Sequence, residues 1–319
     1  MNKKIFIASM ATAALMSTAA FAQTVGIGNT KGGWTNQGGQ SLAKVVSQKT
    51  DIQMRSQPFG GSSVYVPAVN AGKLEFGLVN ELESMYAVTG TGVYPGRKHP
   101  NLRVVSTTIP FRVAFFVKKD SPIKSLKDLK GKRIPSGWAS QRIIQPLIDG
   151  LLNSVGLSYD DVIKVPTPNV VKGANDFAAG KTDAFFFVFG AGKTREVNAK
   201  VGGIRVLNFD PSPASLAAAR KFVPPAFAKS EKPSKRNVGV FSPVHVMTYW
   251  HTVAAGAHVS NDVVYKVTKT MHGNKKALMK AFPGWGGFKP SNMAKNFPSL
   301  TYHPGAVKFY KEKGMWPPK

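Results

Sequence analysis

The sequence predicts an α/β fold built as two lobes. Three observations point there. Short runs rich in β-branched and aromatic residues alternate with helical patterns along the chain. A loop rich in glycine and serine follows each of the first two strands. The β-loop-α pattern that begins near Thr24 returns loosely near Ile134, as it does in two-lobed folds.

The elements follow in order. Thr24 to Gly28 reads as a strand, Asn29 to Gly39 as a glycine-rich loop, and Ser41 to Lys49 as a helix with Leu42, Val45 and Val46 at helical spacing. Ile52 to Gln57 alternates as a strand. The turn Phe59 to Ser63 precedes a helix carrying Tyr65, Val66 and Val69, and Leu74 to Asn80 is the next strand. Leu102 to Thr107 and Arg112 to Val117 read as two strands, and Leu126 with Leu129 as one helical turn. Ile134 begins a strand, and the segment from Ser136 to Arg142 opens a helix to about Val155. Val162 to Val165, Thr182 to Val188 and Ile204 to Phe209 are further strands, with a helix over Asn169 to Ala179 closed by Gly180. Phe185, Phe186 and Phe187 form a continuous apolar run, the pattern of a strand buried on both faces. Pro211 to Pro243 reads as an exposed excursion, His245 to Val259 as a long strand, and the remainder as helical.

The N-terminus predicts the compartment. Lys3 and Lys4 precede the apolar stretch Ile5 to Met16, and Ala20-Phe21-Ala22 offers a small-x-small cleavage site. That order is a secretory signal peptide over residues 1–22, which places the chain from Gln23 onward in the periplasm. With no cysteine there is no lipid attachment, no disulfide, no thiolate metal site and no cysteine nucleophile. The length after cleavage suggests about two domains of roughly 150 residues. The formal charge is +27, and it suits attraction of anionic solutes or an anionic membrane surface. A nucleic-acid partner is excluded on export, on the absence of a binding motif, and on the even spread of the basic residues.

Several segments resemble a known family. They are Ala71 to Asn80, Ser125 to Ile134 (Ser-Leu-Lys-Asp-Leu-Lys-Gly-Lys-Arg-Ile), Gly180 to Phe187, and His303-Pro304-Gly305-Ala306. Together they resemble the TAXI binding proteins of tripartite ATP-independent periplasmic (TRAP) transporters, over essentially the whole chain after residue 22. The resemblance implies a type II periplasmic-binding-protein fold, with two α/β lobes joined by hinge strands and the ligand in the interlobe cleft. On that plan residues 23–117 and 240–319 make the first lobe and 118–239 the second. It also implies TRAP permease subunits as membrane partners, and glutamate or a dicarboxylate as the family's substrate class.

Glycine-rich loops after strands, and helix N-termini, present backbone N–H groups to a carboxylate. Three segments meet that condition. The first holds Lys31, Trp34 and Thr35; the family usually has a small hydroxyl residue at Trp34 and aromatic residues at Thr35 and Asn36. The second holds Ser62, with Asn80 at the end of the next strand. Ser62 serves equally as a helix cap, and one serine can do both. The third holds Trp138, Ser140, Gln141 and Arg142, where Arg142 is either a carboxylate partner or a solvated helix-face residue. Phe189 and Gly190 lie past the phenylalanine strand as an opposing wall. Trp34, Trp138 and Phe189 replace small residues of the family, which leads to the expectation of an aromatic or apolar monocarboxylate in preference to glutamate.

Catalysis finds no support. The six histidines are scattered without metal-ligand spacing, and neither a Gly-x-Ser-x-Gly elbow nor a phosphate-binding loop occurs. Asp160-Asp161 reads as a helix cap and His303 as a helix entrance. No cofactor or metal is expected.

Overall fold

The structure, a computed structural model, describes residues 23–318. The predicted signal peptide, residues 1–22, lies outside them. The chain opens with β1 (Gln23–Thr30), α1 (Gly33–Lys49), β2 (Ile52–Phe59), α2 (Ser62–Asn70), β3 (Phe76–Asn80) and α3 (Glu81–Thr89). It then runs through β4 (Leu102–Lys118), β5 (Arg133–Gly137), α4 (Ile144–Asn153), β6 (Ile163–Thr167), α5 (Val170–Ala178) and β7 (Phe185–Val188). Next come α6 (Gly192–Lys200), β8 (Ile204–Val206), α7 (Pro213–Arg220) and β9 (Phe227–Glu231). It returns through β10 (Val244–Gly256) and ends with α8 (Asn261–Gly273), α9 (Lys275–Ala281), a 3-10 turn at Pro283–Gly287 and α10 (Pro304–Glu312).

The main sheet has the order β2-β1-β3-β10-β4-β7, with β8 added to β4 and β9 to β10. β1 pairs in parallel with β2 and β3, so the C-terminal ends of β1 and β3 open on one edge. β10 is antiparallel to β3 and to β4. The two long strands serve both halves. The first half of β4 lies in the β1–β3 region, and its second half carries β7 and β8. β10 returns beside it, pairing with β9 at one end and β3 at the other. β5 and β6 form a separate parallel pair.

Where the sequence suggests two strands, Leu102 to Thr107 and Arg112 to Val117, the chain makes β4 as a single strand of 17 residues. The apparent break is a bulge. Thr107 pairs with Thr252 and Pro110 with Trp250, so Thr108 and Ile109 face the single residue His251. Pro110 has no N–H to give a ladder, and it sits where the ladder is already irregular. Thr108 Oγ1 donates to the His251 carbonyl at 3.1 Å and holds the two strands together across the irregularity.

Two more expectations need correction. Helix α1 starts at Gly33, so the presumed loop through Gly39 is helical. Glycine there makes space: a Cβ on Gly38 would stand 2.8 Å from Trp34 Cζ3, and one on Gly39 2.8 Å from Asn29 Nδ2. Packing against these side chains overrides the poor helix propensity of the pair, about 1 kcal/mol per glycine. The segment Pro211 to Pro243 is also more ordered than its composition suggests, since it contains α7 and the edge strand β9.

The helix expected to open over Ser136 to Arg142 starts only at Ile144, because Ser136 and Gly137 still belong to β5, but several other local expectations hold. Phe185 and Phe187 pack on one face of β7 and Phe186 on the other, all buried. Ser158 and Asp161 form a reciprocal capping box over a 3-10 turn, and His303 caps α10 by accepting from Gly305 N–H. No helix among the described residues is long and apolar enough to cross a membrane.

Candidate ligand-binding cleft

The C-terminal edge of β1 and β3 is where helix N-termini gather. Helices α1, α2 and α3 all begin there, and the turn that leads into α4 approaches from the other side. Each helix start leaves backbone N–H groups without intrahelical partners and carries partial positive charge. In open α/β sheets this is where ligands sit.

Across this edge the lobes touch. The Ser140 carbonyl stands so close to Gly61 that a Cβ there would lie 1.9 Å from its oxygen. Arg142 N–H donates to Ser63 Oγ at 3.0 Å, and Asn169 Nδ2 donates to the Gly60 carbonyl at 3.2 Å. Gly32 meets Val171, and Gly33 meets Phe187.

Behind this lip lies an inner cavity of about 40 Å³. Thr30, Thr35, Ser62 and Asn80 form its first-lobe wall, with Glu83 and Tyr65 below them. Gln141, Ile143 and Ile144 close it from the second lobe, and Phe111, Tyr249 and His251 of the crossing strands form its back. Asn80 Oδ1 caps α3, accepting from Glu83 N–H at 2.8 Å, which leaves its amide NH2 to face the cavity. Ser62 is the first residue of α2, after Gly61 in the capping position, and its hydroxyl makes no cap.

Two buried polar atoms on this wall, Ser62 Oγ and Glu83 Oε2, make no well-aligned hydrogen bond, and they lie close enough together for the serine hydroxyl to favour the ionised carboxylate. The other carboxyl oxygen of Glu83 accepts from Tyr94 OH at 2.9 Å. Complete burial pushes the Glu83 carboxyl up to about 7, although Ser62, Tyr94 and the charge of Arg142 act against that rise. Burial likewise pushes His251 down to about 3, so its imidazole is neutral. The polar part of the lining therefore consists of neutral donors, helix N-termini and one carboxyl that is readily protonated. It has no lysine or arginine.

Of the residues that the sequence singles out, the structure brings Thr35, Ser62, Asn80 and Gln141 to this cavity. Ser140 and Arg142 stand at the lip and act there through backbone groups; the Arg142 guanidinium lies 5.7 Å from the Tyr94 ring centroid. Lys31 is exposed, with its N–H donated to the Phe59 carbonyl. Trp138 does not wall the cleft. It is fully buried in the second lobe, where Nε1 donates to Tyr159 OH at 3.1 Å. Its φ of 47° is unusual for a bulky residue, and this bond together with Trp138 N–H to the Thr167 carbonyl holds it.

Trp34 and Phe189 are buried too, at 2% exposure each, and with Gly190 they border a different space. His251 stacks on Phe111 at 4.1 Å, and Trp34 meets both rings edge-on at 5.7 and 5.5 Å. These three rings partition the inner cavity from an outer crevice that Trp34, Phe189 and Gly190 line. None of the three rings expected to flatten the ligand site lines the inner cavity; Trp34 and Phe189 border the outer crevice and Trp138 lies in the second-lobe core.

Thr30, Glu83, Phe111, Tyr249 and His251 were missed. Glu83 had a signal in the sequence: it stands three residues past Asn80 in a chain with only 16 acidic residues. Tyr249 and His251 alternate along a strand, and nothing in the sequence says which face of that strand meets the cleft.

A family model for the NMT1-like family matches residues 28–314. The chain belongs to the NMT1-like family. Solved structures similar to this NMT1-like chain include binding proteins for small anionic solutes. PhnD1 from Prochlorococcus marinus, in complex with methylphosphonate, aligns with a TM-score of 0.60 at 11% identity, over 92% of this chain and 99% of that one. The alkanesulfonate-binding protein SsuA from Xanthomonas axonopodis pv. citri, bound to MOPS, gives 0.54 at 16% identity, over 92% and 91%. A binding protein component of an ABC phosphonate transporter from Pseudomonas aeruginosa gives 0.57 at 11%, over 84% and 80%. The NMT1-like chain thus has the periplasmic solute-binding-protein fold, in which β4 and β10 are the strands that cross between lobes.

Proposed function

We propose that this NMT1-like protein is a periplasmic solute-binding receptor that captures a small organic monocarboxylate between its lobes and hands it on without chemical turnover. The observation that carries this reading is the inner cavity. It lies off the ends of β1 and β3, at three helix N-termini, with the buried Ser62 hydroxyl and Glu83 carboxyl side by side on its wall and neither in a well-aligned hydrogen bond through Oγ or Oε2. A carboxylate there accepts from Ser62, from the Asn80 and Gln141 amides, and from a protonated Glu83. At about 40 Å³ the shut cavity admits a group of only a few atoms beside Phe111, Tyr249, Ile143 and Ile144, so the lobes must part for a larger apolar body. A second carboxylate, as in glutamate, meets no cationic side chain in this lining.

Delivery is to a TRAP-type permease on the resemblance carried by Ser125 to Ile134, Gly180 to Phe187 and His303 to Ala306. Delivery to an ABC importer is the second reading, favoured by the Pseudomonas aeruginosa neighbour named as a component of an ABC phosphonate transporter. A fused permease gene beside this one supports the first, and an ATPase gene the second. Export rests on the pattern from Lys3 to Ala22.

The test begins with native mass spectrometry of protein purified without unfolding. Calorimetric titration follows, with acetate, propionate, benzoate, phenylacetate, glutamate and 2-oxoglutarate, on the wild type and on Ser62→Ala. Binding of a monocarboxylate that Ser62→Ala weakens tenfold or more supports the proposal. Tight binding of glutamate or 2-oxoglutarate alone overturns its ligand class, and turnover of any of them overturns its reaction class.

A further inference from the structure

The inner cavity has no cationic side chain, yet three arginines converge on the outer crevice beyond the ring partition. Arg112 comes from β4, Arg195 from α6, and Arg236 from the loop after β9. The crevice holds about 290 Å³, close to the lower end of small-molecule pockets. It opens along the crossing strands into a further space of about 500 Å³ that Lys229 and Lys289 line.

Like charges brought together repel, so the partners of these arginines matter. Arg112 is half-buried and spends one arm on Glu231, Nη1 to Oε2 at 2.8 Å. Its other arm faces Gly190, where a Cβ would stand 3.7 Å from Nη2. Arg195 and Arg236 are exposed and form no ion pair among the described residues. Trp34, Phe189, Phe282 and Ile109 supply apolar walls. A concave, low-dielectric wall concentrates a field of one sign, and guanidinium forks match oxyanions in pairs. The opposite bank is the first-lobe segment from Pro283 to Gly287, whose Gly286 would place a Cβ 3.3 Å from Arg236 Nη1.

We propose that this crevice is a second ligand site, distinct from the inner cavity, for a small molecule with two or more negatively charged oxygens, held by Arg195 and Arg236 with the free arm of Arg112. An anion there neutralises the arginines where the first-lobe segment meets them, and so favours the shut arrangement. This goes beyond the monocarboxylate reading, because a separate set of residues carries it.

Citrate and inorganic phosphate are the probes. Thermal unfolding and calorimetric titration are run at ionic strength matched with sodium chloride. Four proteins are compared: wild type, Arg195→Ala/Arg236→Ala, Ser62→Ala, and Lys44→Ala/Lys49→Ala, which removes the same charge from the exposed side of α1. The expected result is saturable citrate binding in the wild type, at least tenfold weaker in the double-arginine variant and unchanged in the other two. Equal weakening in both double variants would show general screening of a basic protein, and loss in Ser62→Ala would place the anion in the inner cavity. Either outcome overturns the proposal, as does the absence of saturation. Both arginines are exposed, so the variant folds; far-UV circular dichroism checks that. Failure here leaves monocarboxylate binding, read through Ser62, standing or falling by its own titration.

Discussion

On the proposed reading Glu83 should tie solute affinity to pH, and the direction of that dependence separates two kinds of ligand. If a ligand carboxylate accepts a proton-mediated bond from Glu83, only the neutral acid binds it. Burial pushes this carboxyl up to about 7, so it is about half ionised at pH 7, about 90% at pH 8 and about 99% at pH 9. The Kd of a monocarboxylate should therefore rise about fivefold from pH 7 to 8 and about tenfold more to pH 9. Calorimetry at pH 7 in buffers of differing ionisation enthalpy should find about half a proton taken up per ligand bound. Glu83→Gln, whose amide still donates, should bind within a few-fold of the wild type at pH 6 and lose the dependence. Affinity that instead rises with pH, with Glu83→Gln abolishing binding, refutes the reasoning and means that the ligand offers a cation to an ionised Glu83. Stability supplies an independent readout. A carboxyl raised above its unfolded value contributes stability that is whole below about 4.5 and is lost as pH rises through about 7. Glu83→Gln should thus gain on the wild type by up to about 3 kcal/mol above pH 7, and by nothing near pH 4.

Three further outcomes follow from the geometry. Gly61→Ala puts a Cβ 1.9 Å from the Ser140 carbonyl oxygen, so the lobes cannot shut; ligand affinity should fall at least tenfold with unfolding temperature nearly unchanged, and small-angle scattering should give a larger radius of gyration. Trp138→Phe should cost about 2–4 kcal/mol through the lost bond to Tyr159 and the space left behind, yet leave affinity within about twofold; a tenfold loss of affinity in folded protein would put the ring back in the cleft. Gly38→Ala adds a good helix former but presses on the buried Trp34 ring; denaturant unfolding should find it destabilised by about 1–3 kcal/mol, and a gain would mean that the ring moves freely.

Fold class was legible because periodicity and loop chemistry are local. The apolar run at Phe185 to Phe187, the glycine that closes α5 at Gly180 and the glycines after β1 and β2 all carry their meaning within a few residues. The site was legible only in part, and for the same reason. Thr35, Ser62 and Asn80 follow strands whose ends any reader can mark, and Gln141 opens the matching turn of the second lobe. The direction in which a ring points is not local. Trp138 looked like a wall because it replaces a small residue, but Tyr159, 21 positions later, holds it in the core. Trp34 is fixed by Gly284, 250 positions away, through its Nε1 and that carbonyl at 3.2 Å. Tyr249 and His251 share one face of β10 by the two-residue period of a strand, and which surroundings that face meets is set by pairing with β3 and β4, far away in sequence.

The lip between Gly61 and Ser140 has a consequence for selectivity. Backbone meets backbone there, and such a contact cannot be relieved by a change of rotamer. On the proposed reading a solute one methylene too long would keep the lip ajar, and the bonds from Arg142 to Ser63 and from Asn169 to Gly60 would then be lost together. The size of the cargo would thereby become a yes-or-no signal on the outer face of the protein. A membrane partner that grips only the sealed rim would sort full carriers from empty ones without inspecting what they hold.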